Sequence, residues 1–344
     1  MRYVDVFNGD ADGLCALHQL RLAEPLPTDA PAELITGLKR EIGLLARVAV
    51  DPVTAGETIV TVLDVSLDRN RAALERLLAA GATVRYFDHH FAGAVSAHPR
   101  LQAVLDPAAD VCTGMLVDRY LGGRYRVWAV VAAFGDNLTV AAQALATPLG
   151  LDAARLRTLR ELGEALNYNG YGDSETDVMI HPRELYRALH GFVDPFAFYV
   201  TSTVQALIER RRSDLAAALT VAPTFADAHC AVYRLPAAAW SGRVIGTFAN
   251  TLAQNHPSRA HAVLKDNSDG PFTASVRAPL QAPHGADTLC RQFETGGGRA
   301  AAAGIDRLPA SRLEEFNTAL RGWSSTCALA ATTSVRAAPV LRKR

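Results

Sequence analysis

Asp10 and Asp12, Asp64, and the triplet Asp88, His89, His90 each stand directly after a short apolar run, at 3–7, 59–63 and 84–87. Carboxylate and imidazole without thiolate is the ligand set of hard divalent cations, so manganese is the expected ion, with magnesium as the alternative and structural zinc disfavoured. Several carboxylates converging on one crevice repel each other unless cations neutralise them, which points to two ions rather than one. Paired ions about 3.5 to 4 Å apart hold a nucleophilic oxygen and stabilise both the entering and the leaving oxygen of a phosphoryl displacement. The chemistry indicated is hydrolysis of phosphate esters. Taken singly, each acid also reads as a loop residue or a helix cap; three in succession, one beside a pair of histidines, read as a site.

These residues need a scaffold that brings them together. The apolar runs are strand-like, and between the second and third, Leu67, Leu74, Leu77 and Leu78 recur at helical spacing behind Ser66, with a stop expected near Gly81. That is a βαβ unit, and in an open parallel sheet ligands bind outside the carboxyl ends of the strands, where all three acidic groups fall. An apolar helix over 127–134 delivers Gly135 and Asp136 at its end, an amphipathic stretch covers 151–166, and Asn167–Gly172 (NYNGYG) reads as a turn. The remainder, with runs at 231–235, 243–255, 260–265 and 272–277, reads as a smaller mixed α/β domain ending near Trp323.

The 344 residues exceed the usual single-domain size, and 49% apolar content suffices for two cores. Basic and acidic residues balance at 35 each, which excludes a global field drawing the chain to nucleic acid or an anionic membrane, so any anion site is local. Only Lys39, Lys265 and Lys343 are lysines. The five cysteines (Cys15, Cys112, Cys230, Cys290, Cys327) contain no CxxC pair, which argues against structural zinc and a disulfide framework and fits a reduced cytosol. No apolar run approaches a membrane span and no leader-like segment opens the sequence, so a cytoplasmic protein without a membrane partner is expected. Residues 324–344 lack acids and are rich in small residues, the composition of a disordered tail.

Four segments, FNGDADGLCA, VLDVS, FDHH and FGDN, spanning residues 7 to 137, resemble in order and spacing the motifs of the DHH phosphoesterase superfamily. The resemblance implies that Asn8, Asp10 and Asp64 surround one metal and Asp12, Asp64, His89 and Asp136 the other, with Asp64 bridging. It also implies that His90 contacts substrate phosphate, while Asp88 orients the histidine pair or is structural. Where the family usually has His or Asp, this chain has Asn8, a neutral and weaker ligand that also reads as a plain turn residue before Gly9. In the second half, TGGGRAAAAG (295–304), preceded by FTASVRAP (272–279), resembles the DHHA1 substrate-binding domain. Glycine amides opening a helix form an anion site, so Gly296, Gly297 and Gly298 are expected to face substrate and Arg277 to pair with phosphate. Arg299 stands where short-RNA enzymes usually have His; it either grips a terminal phosphate or points into solvent.

The expectation is therefore an α/β chain: a parallel-sheet DHH domain over 1–150, a helical connector over 151–200, and a DHHA1 domain over 201–323, with the active site in the interdomain cleft. The reaction expected is metal-dependent hydrolysis of phosphate esters in small nucleotides or short oligonucleotides: di- to pentaribonucleotides, linear products of cyclic dinucleotides, or 3'-phosphoadenosine 5'-phosphate. A non-catalytic nucleotide sensor and a RecJ-like single-strand exonuclease are the alternatives, and homodimerisation is left open.

Overall fold

The structure, a computed structural model, describes residues 1–336 apart from 52, 96 and 173, with side chains described through 326. Contacts divide the chain into two compact units, Met1–Arg211 and Arg212–Arg344. The division falls within one helix, α9 (Ser202–Leu219).

The first unit is built on five parallel strands, β1 (Arg2–Asn8), β2 (Glu33–Gly37), β3 (Thr58–Leu63), β4 (Thr83–Asp88) and β5 (Leu101–Leu105), in the order β2-β1-β3-β4-β5. Successive side chains of a strand point to opposite faces, and here both faces are buried. Val4, Val6, Val60, Val62, Val84 and Tyr86 join one core with Leu44, Leu67, Leu74 and Leu77 of the covering segments. Phe7, Leu63 and Phe87 join the other. That second core is shared with α1 (Ala11–Ala23), α3 (Thr113–Tyr120), α4 (Arg126–Gly135), α6 (Ala153–Asn169), α7 (Pro182–His190) and α8 (Pro195–Tyr199). The sheet's other cover, α2 (Leu67–Ala79), is capped by Ser66 and followed by Gly81 at φ +96°. Short α5 (Thr139–Ala146) continues from α4.

Helix α4 is apolar on nearly every side because α1, α3, α5 and α6 all surround it. Its Trp128 is buried and donates to Val193 O at 2.8 Å, and truncating such a side chain costs about 3–5 kcal/mol. Asp5, in the middle of β1, is buried and tied to Arg21 of α1 through two hydrogen bonds; Arg21 also reaches Thr61 Oγ1 at 3.2 Å. The turn expected at 167–172 begins later. Helix α6 runs on to Asn169 because Tyr168 and Asn169 are buried, and the Asn169 side chain bonds both the C=O (2.7 Å) and the N–H (3.1 Å) of Ile180.

The second unit carries a mixed six-stranded sheet ordered β10-β11-β9-β8-β7-β6. Its strands are β6 (Phe225–Ala226), β7 (Cys230–Leu235), β8 (Ala260–Asp266), β9 (Phe272–Arg277), β10 (Gly296–Gly298) and β11 (Ala302–Leu308). Helices α10 (Ala239–Asn255), α11 (Ala286–Cys290) and α12 (Leu313–Arg336) accompany it. The separate core includes Val276, Leu289, Phe293, Ile305, Phe316 and Leu320. Helix α12 extends to Arg336, so 324–336 of the expected tail is helical; 337–344 lies outside the described residues. Among the described residues no helix is long and apolar enough to cross a membrane.

Candidate metal centre

Strand order reverses between β1 and β3: the chain leaves β1 for β2 on one side and returns to β3 on the other. The crevice at such a switch point, outside the carboxyl ends of the strands, is the ligand position of an open α/β sheet. Asp10 and Asp12 follow β1 and Asp64 follows β3, so the topology brings them together.

Asp10 is the N-cap of α1, its Oδ1 accepting from Asp12 N (2.9 Å) and Gly13 N (3.1 Å). Asp12, in the first turn of α1, is seated on the start of α3: Oδ2 accepts from Thr113 N and Oδ1 from Gly114 N, both at 2.7 Å. A carboxylate is favoured there by the unpaired amides and dipole of a helix start. Position 114 tolerates only glycine, since a Cβ would stand 2.5 Å from Ala132 Cβ and 3.1 Å from Asp12 Oδ1. Thr113 and Gly114 are site-building residues that no sequence motif announced.

Asp64 sits at φ +57°, in the left-handed region that costs a non-glycine residue about 1–2 kcal/mol. Its Oδ1 accepts from Thr113 Oγ1 at 3.3 Å and lies 3.4 Å from His89 Nε2. His89 Nε2 is also 4.0 Å from Asp12 Oδ2. Asp88 is fully buried: Oδ2 accepts from Leu67 N (3.1 Å), and Oδ1 accepts from His90 N (3.2 Å) and His90 Nδ1 (2.6 Å). It therefore anchors the start of α2 and fixes the His90 ring with Nδ1 as donor, leaving Nε2 free of that bond; the His90 side chain is 43% exposed. Asp136, the C-cap of α4, has one oxygen, Oδ2, buried without a hydrogen-bond partner.

Such crowding is costly without a cation. Burial, with Asp12 and Asp10 as like-charged neighbours, pushes Asp64 well above the carboxylate range, and burial together with Asp136 and Asp10 raises Asp12. Burial opposes a charge on His89, yet its hydrogen bond to Asp64 and the charges of Asp64, Asp12 and Asp136 lift it to about 10. Each group is thus held towards its protonated form, the response of a cluster that lacks positive charge. Donor atoms of Asp64, His89 and His90 lie within 4.8 Å of one another, and Asp136 Oδ2 is the buried oxygen left over. Asp12, Asp64, His89 and that oxygen of Asp136 fit one divalent ion, with His90 beside it.

Asn8 and Asp10, expected around a second ion, have protein partners here. Asn8 is used up by the backbone, Oδ1 accepting from Asp10 N (3.3 Å) and Nδ2 donating to Lys39 O (3.2 Å). Asp10 Oδ2 takes Lys39 Nζ at 2.5 Å, and the same ammonium reaches Asn167 Oδ1 (3.0 Å) and Asp136 Oδ1 (3.3 Å). Lys39, one of three lysines in the chain, stands two residues after strand β2, and no motif marks it.

In the second unit Gly296–Gly298 does not open a helix. It is the edge strand β10, paired antiparallel with β11, so no helix-start anion site forms there. A Cβ on Gly296 would lie 1.7 Å from Cys290 O, whereas Gly297 faces open space. Arg299 is exposed at the hairpin tip, its N–H bonded to Ala302 O at 2.9 Å. Arg277, on β9, donates to Asn250 Oδ1 (2.6 Å), Ser275 Oγ (3.1 Å), Val276 O (3.0 Å) and Gly246 O (3.3 Å). These four partners belong to its own unit.

A parallel sheet ordered 2-1-3-4-5 with acids and histidines at its switch point, followed by a separate mixed-sheet unit, defines a two-unit α/β fold. More particularly, this is the DHH/DHHA1, RecJ-like fold. No family model and no curated relative matches the sequence, but solved structures match over nearly its whole length. The DHH domain of a member of a ribosomal-protein family is similar at 15% identity, with a TM-score of 0.65, covering 94% of this chain and 86% of that one. The exonuclease RecJ bound to manganese is similar at 18% identity and TM-score 0.60, covering 94% and 90%. A pGpG-specific phosphodiesterase from Vibrio cholerae is similar at 15% identity and TM-score 0.52, covering 95% and 99%.

Proposed function

We propose that the chain is a divalent-cation-dependent phosphoesterase acting on small nucleotides or short oligonucleotides, with manganese as the working ion. The observation that carries this is the convergence, at the switch point, of Asp64 and Asp12 on His89 Nε2, at 3.4 and 4.0 Å, together with an unpartnered buried oxygen of Asp136. An ion held there supplies Lewis-acid polarisation of the phosphoryl group. Asp12 and Asp64 are held rigidly by α3 and by the Asp64 backbone, and His90, positioned by Asp88, offers Nε2 to a phosphate oxygen. On the substrate side we assign Gly296, Gly297, Gly298 and Arg299 of the β10–β11 hairpin to nucleotide contact. Arg277 acts by its charge and by holding α10 to β9.

Neighbours named for exonuclease and pGpG phosphodiesterase activity support a phosphodiester in a short nucleotide as substrate. The test is hydrolysis of labelled di-, penta- and longer oligonucleotides and of 3'-phosphoadenosine 5'-phosphate, with manganese and after exhaustive chelation. Manganese-dependent turnover of the short substrates is expected; undiminished turnover in chelator overturns the reading.

A further inference from the structure

Lys39 and Asn8 are two departures that the structure joins into one device. The Lys39 main chain is pinned on both sides: its N–H donates to Gly170 O at 2.9 Å, and its C=O accepts from Asn8 Nδ2 at 3.2 Å. The amide at position 8 serves both halves of this junction, donating to the Lys39 carbonyl and accepting from Asp10 N, which a carboxylate cannot do because it has no proton to give. The side chain then runs to Asp10, Asn167 and Asp136, which meet the three N–H donors of an ammonium, while the Tyr171 ring lies 5.6 Å from the charge. Nothing about this arrangement is a solvated surface lysine.

We propose that the Lys39 ammonium is a built-in cation that replaces one of two metal ions, so that the centre works with a single divalent ion held by Asp12, Asp64, His89 and the free oxygen of Asp136. The inference rests on the cation-dependent reading above and deepens it. Lys39 neutralises Asp10 and one oxygen of Asp136, which removes both the ligands and the charge deficit that would recruit a second ion. Asn8 is then a positioning residue for Lys39 and carries no metal.

The test counts metal rather than activity. Wild-type protein equilibrated with Mn2+ and freed of excess is expected to retain about one ion per chain, with the six-line paramagnetic resonance spectrum of an isolated ion. The double variant Asn8→His/Lys39→Ala, which supplies a ligand and removes the ammonium, is expected to retain about two, with the spectrum of an exchange-coupled pair. Two ions and a coupled spectrum in wild type overturn the inference while leaving the cation-dependent reading intact. One ion in both proteins also overturns it, because Lys39 would then not be what excludes the second. No retained Mn2+ in wild type overturns the cation-dependent reading and the inference with it. The wild-type count and spectrum stand without the variant, whatever its folding.

Discussion

At the scale of residues, Asp64 is under conflicting demands. It occupies a left-handed backbone conformation, is buried, and is pushed towards protonation by burial and by Asp12 and Asp10. Asparagine tolerates the left-handed region and matches aspartate in size, so Asp64→Asn removes the charge and little else. In chelator the variant is expected to melt higher than wild type, by the equivalent of about 1–2 kcal/mol, because the like-charge crowding is relieved. In manganese the order reverses, since wild type gains binding energy that the variant lacks. Calorimetry of both proteins in both conditions checks it, and a variant less stable than wild type in chelator counts against the electrostatic account. That Asp10, Asp12, Asp64, His89, His90 and Asp136 gather at one end of the sheet is legible because acids and histidines after apolar runs are a chemical signal in one dimension, whereas the pairing of Asp10 with Lys39 is not. Lys39, Thr113 and Gly114 are not legible, for their contribution is a backbone amide or an ammonium delivered from a distant segment, and no spacing encodes that.

At the scale of elements, strands β1, β3 and β4 were readable because each is apolar on both faces. Strands β2 and β5 were missed: β2 is a five-residue edge strand, and the side chains of β5 are all partly or fully exposed, so neither carries an apolar run. A glycine triplet suggests conformational freedom at a helix start, whereas Gly296 serves close approach to the Cys290 carbonyl. Helix contact governs the site in the same way. Because α3 and α4 meet at Gly114 and Ala132, Gly114→Ala must push α3 off α4 or off the Asp12 carboxylate. Manganese affinity is expected to fall by on the order of tenfold or more, although no ligand is altered, as measured by calorimetric titration. Helix α1 also carries His18, buried against the edge of Trp128 with Nε2 2.7 Å from Phe192 O. Burial lowers its pKa to about 4. An unfolded chain binds this proton near pH 6.5 and the folded one only near 4, so stability is full above 6.5 and falls between 6.5 and 4, by up to about 3 kcal/mol. Replacement of His18 by Gln should flatten that portion of the pH–stability curve; an unchanged slope would remove His18 as its source.

At the scale of the whole molecule, the chain consists of two compact units with separate cores, and the separation runs through a helix. The amphipathic stretch at 151–166 and the turn formers after it predict a helical connector over 151–200, yet α6, α7 and α8 pack into the first core, as do Val204, Leu207 and Ile208 of α9. A long amphipathic helix looks the same in sequence whether it links cores or completes one, because periodicity reports that a face is buried and not against what. The boundary decides how the units can be tested apart. A cut at 200 would strip Val204, Leu207 and Ile208 from the first core, whereas a fragment ending at Leu219 keeps α9 whole. That fragment contains every proposed cation ligand and none of Gly296, Gly297, Gly298, Arg299 or Arg277. It is expected to fold cooperatively, to bind manganese as tightly as the full chain, and to hydrolyse a generic aryl phosphodiester. For a dinucleotide, loss of the substrate contacts should raise KM by on the order of tenfold or more, since a charged hydrogen bond to phosphate contributes about 1.5–3 kcal/mol. Steady-state kinetics on the two substrates, fragment against full chain, separates the roles: a dinucleotide KM unchanged in the fragment would place nucleotide recognition in the first unit and take the β10–β11 hairpin out of the site.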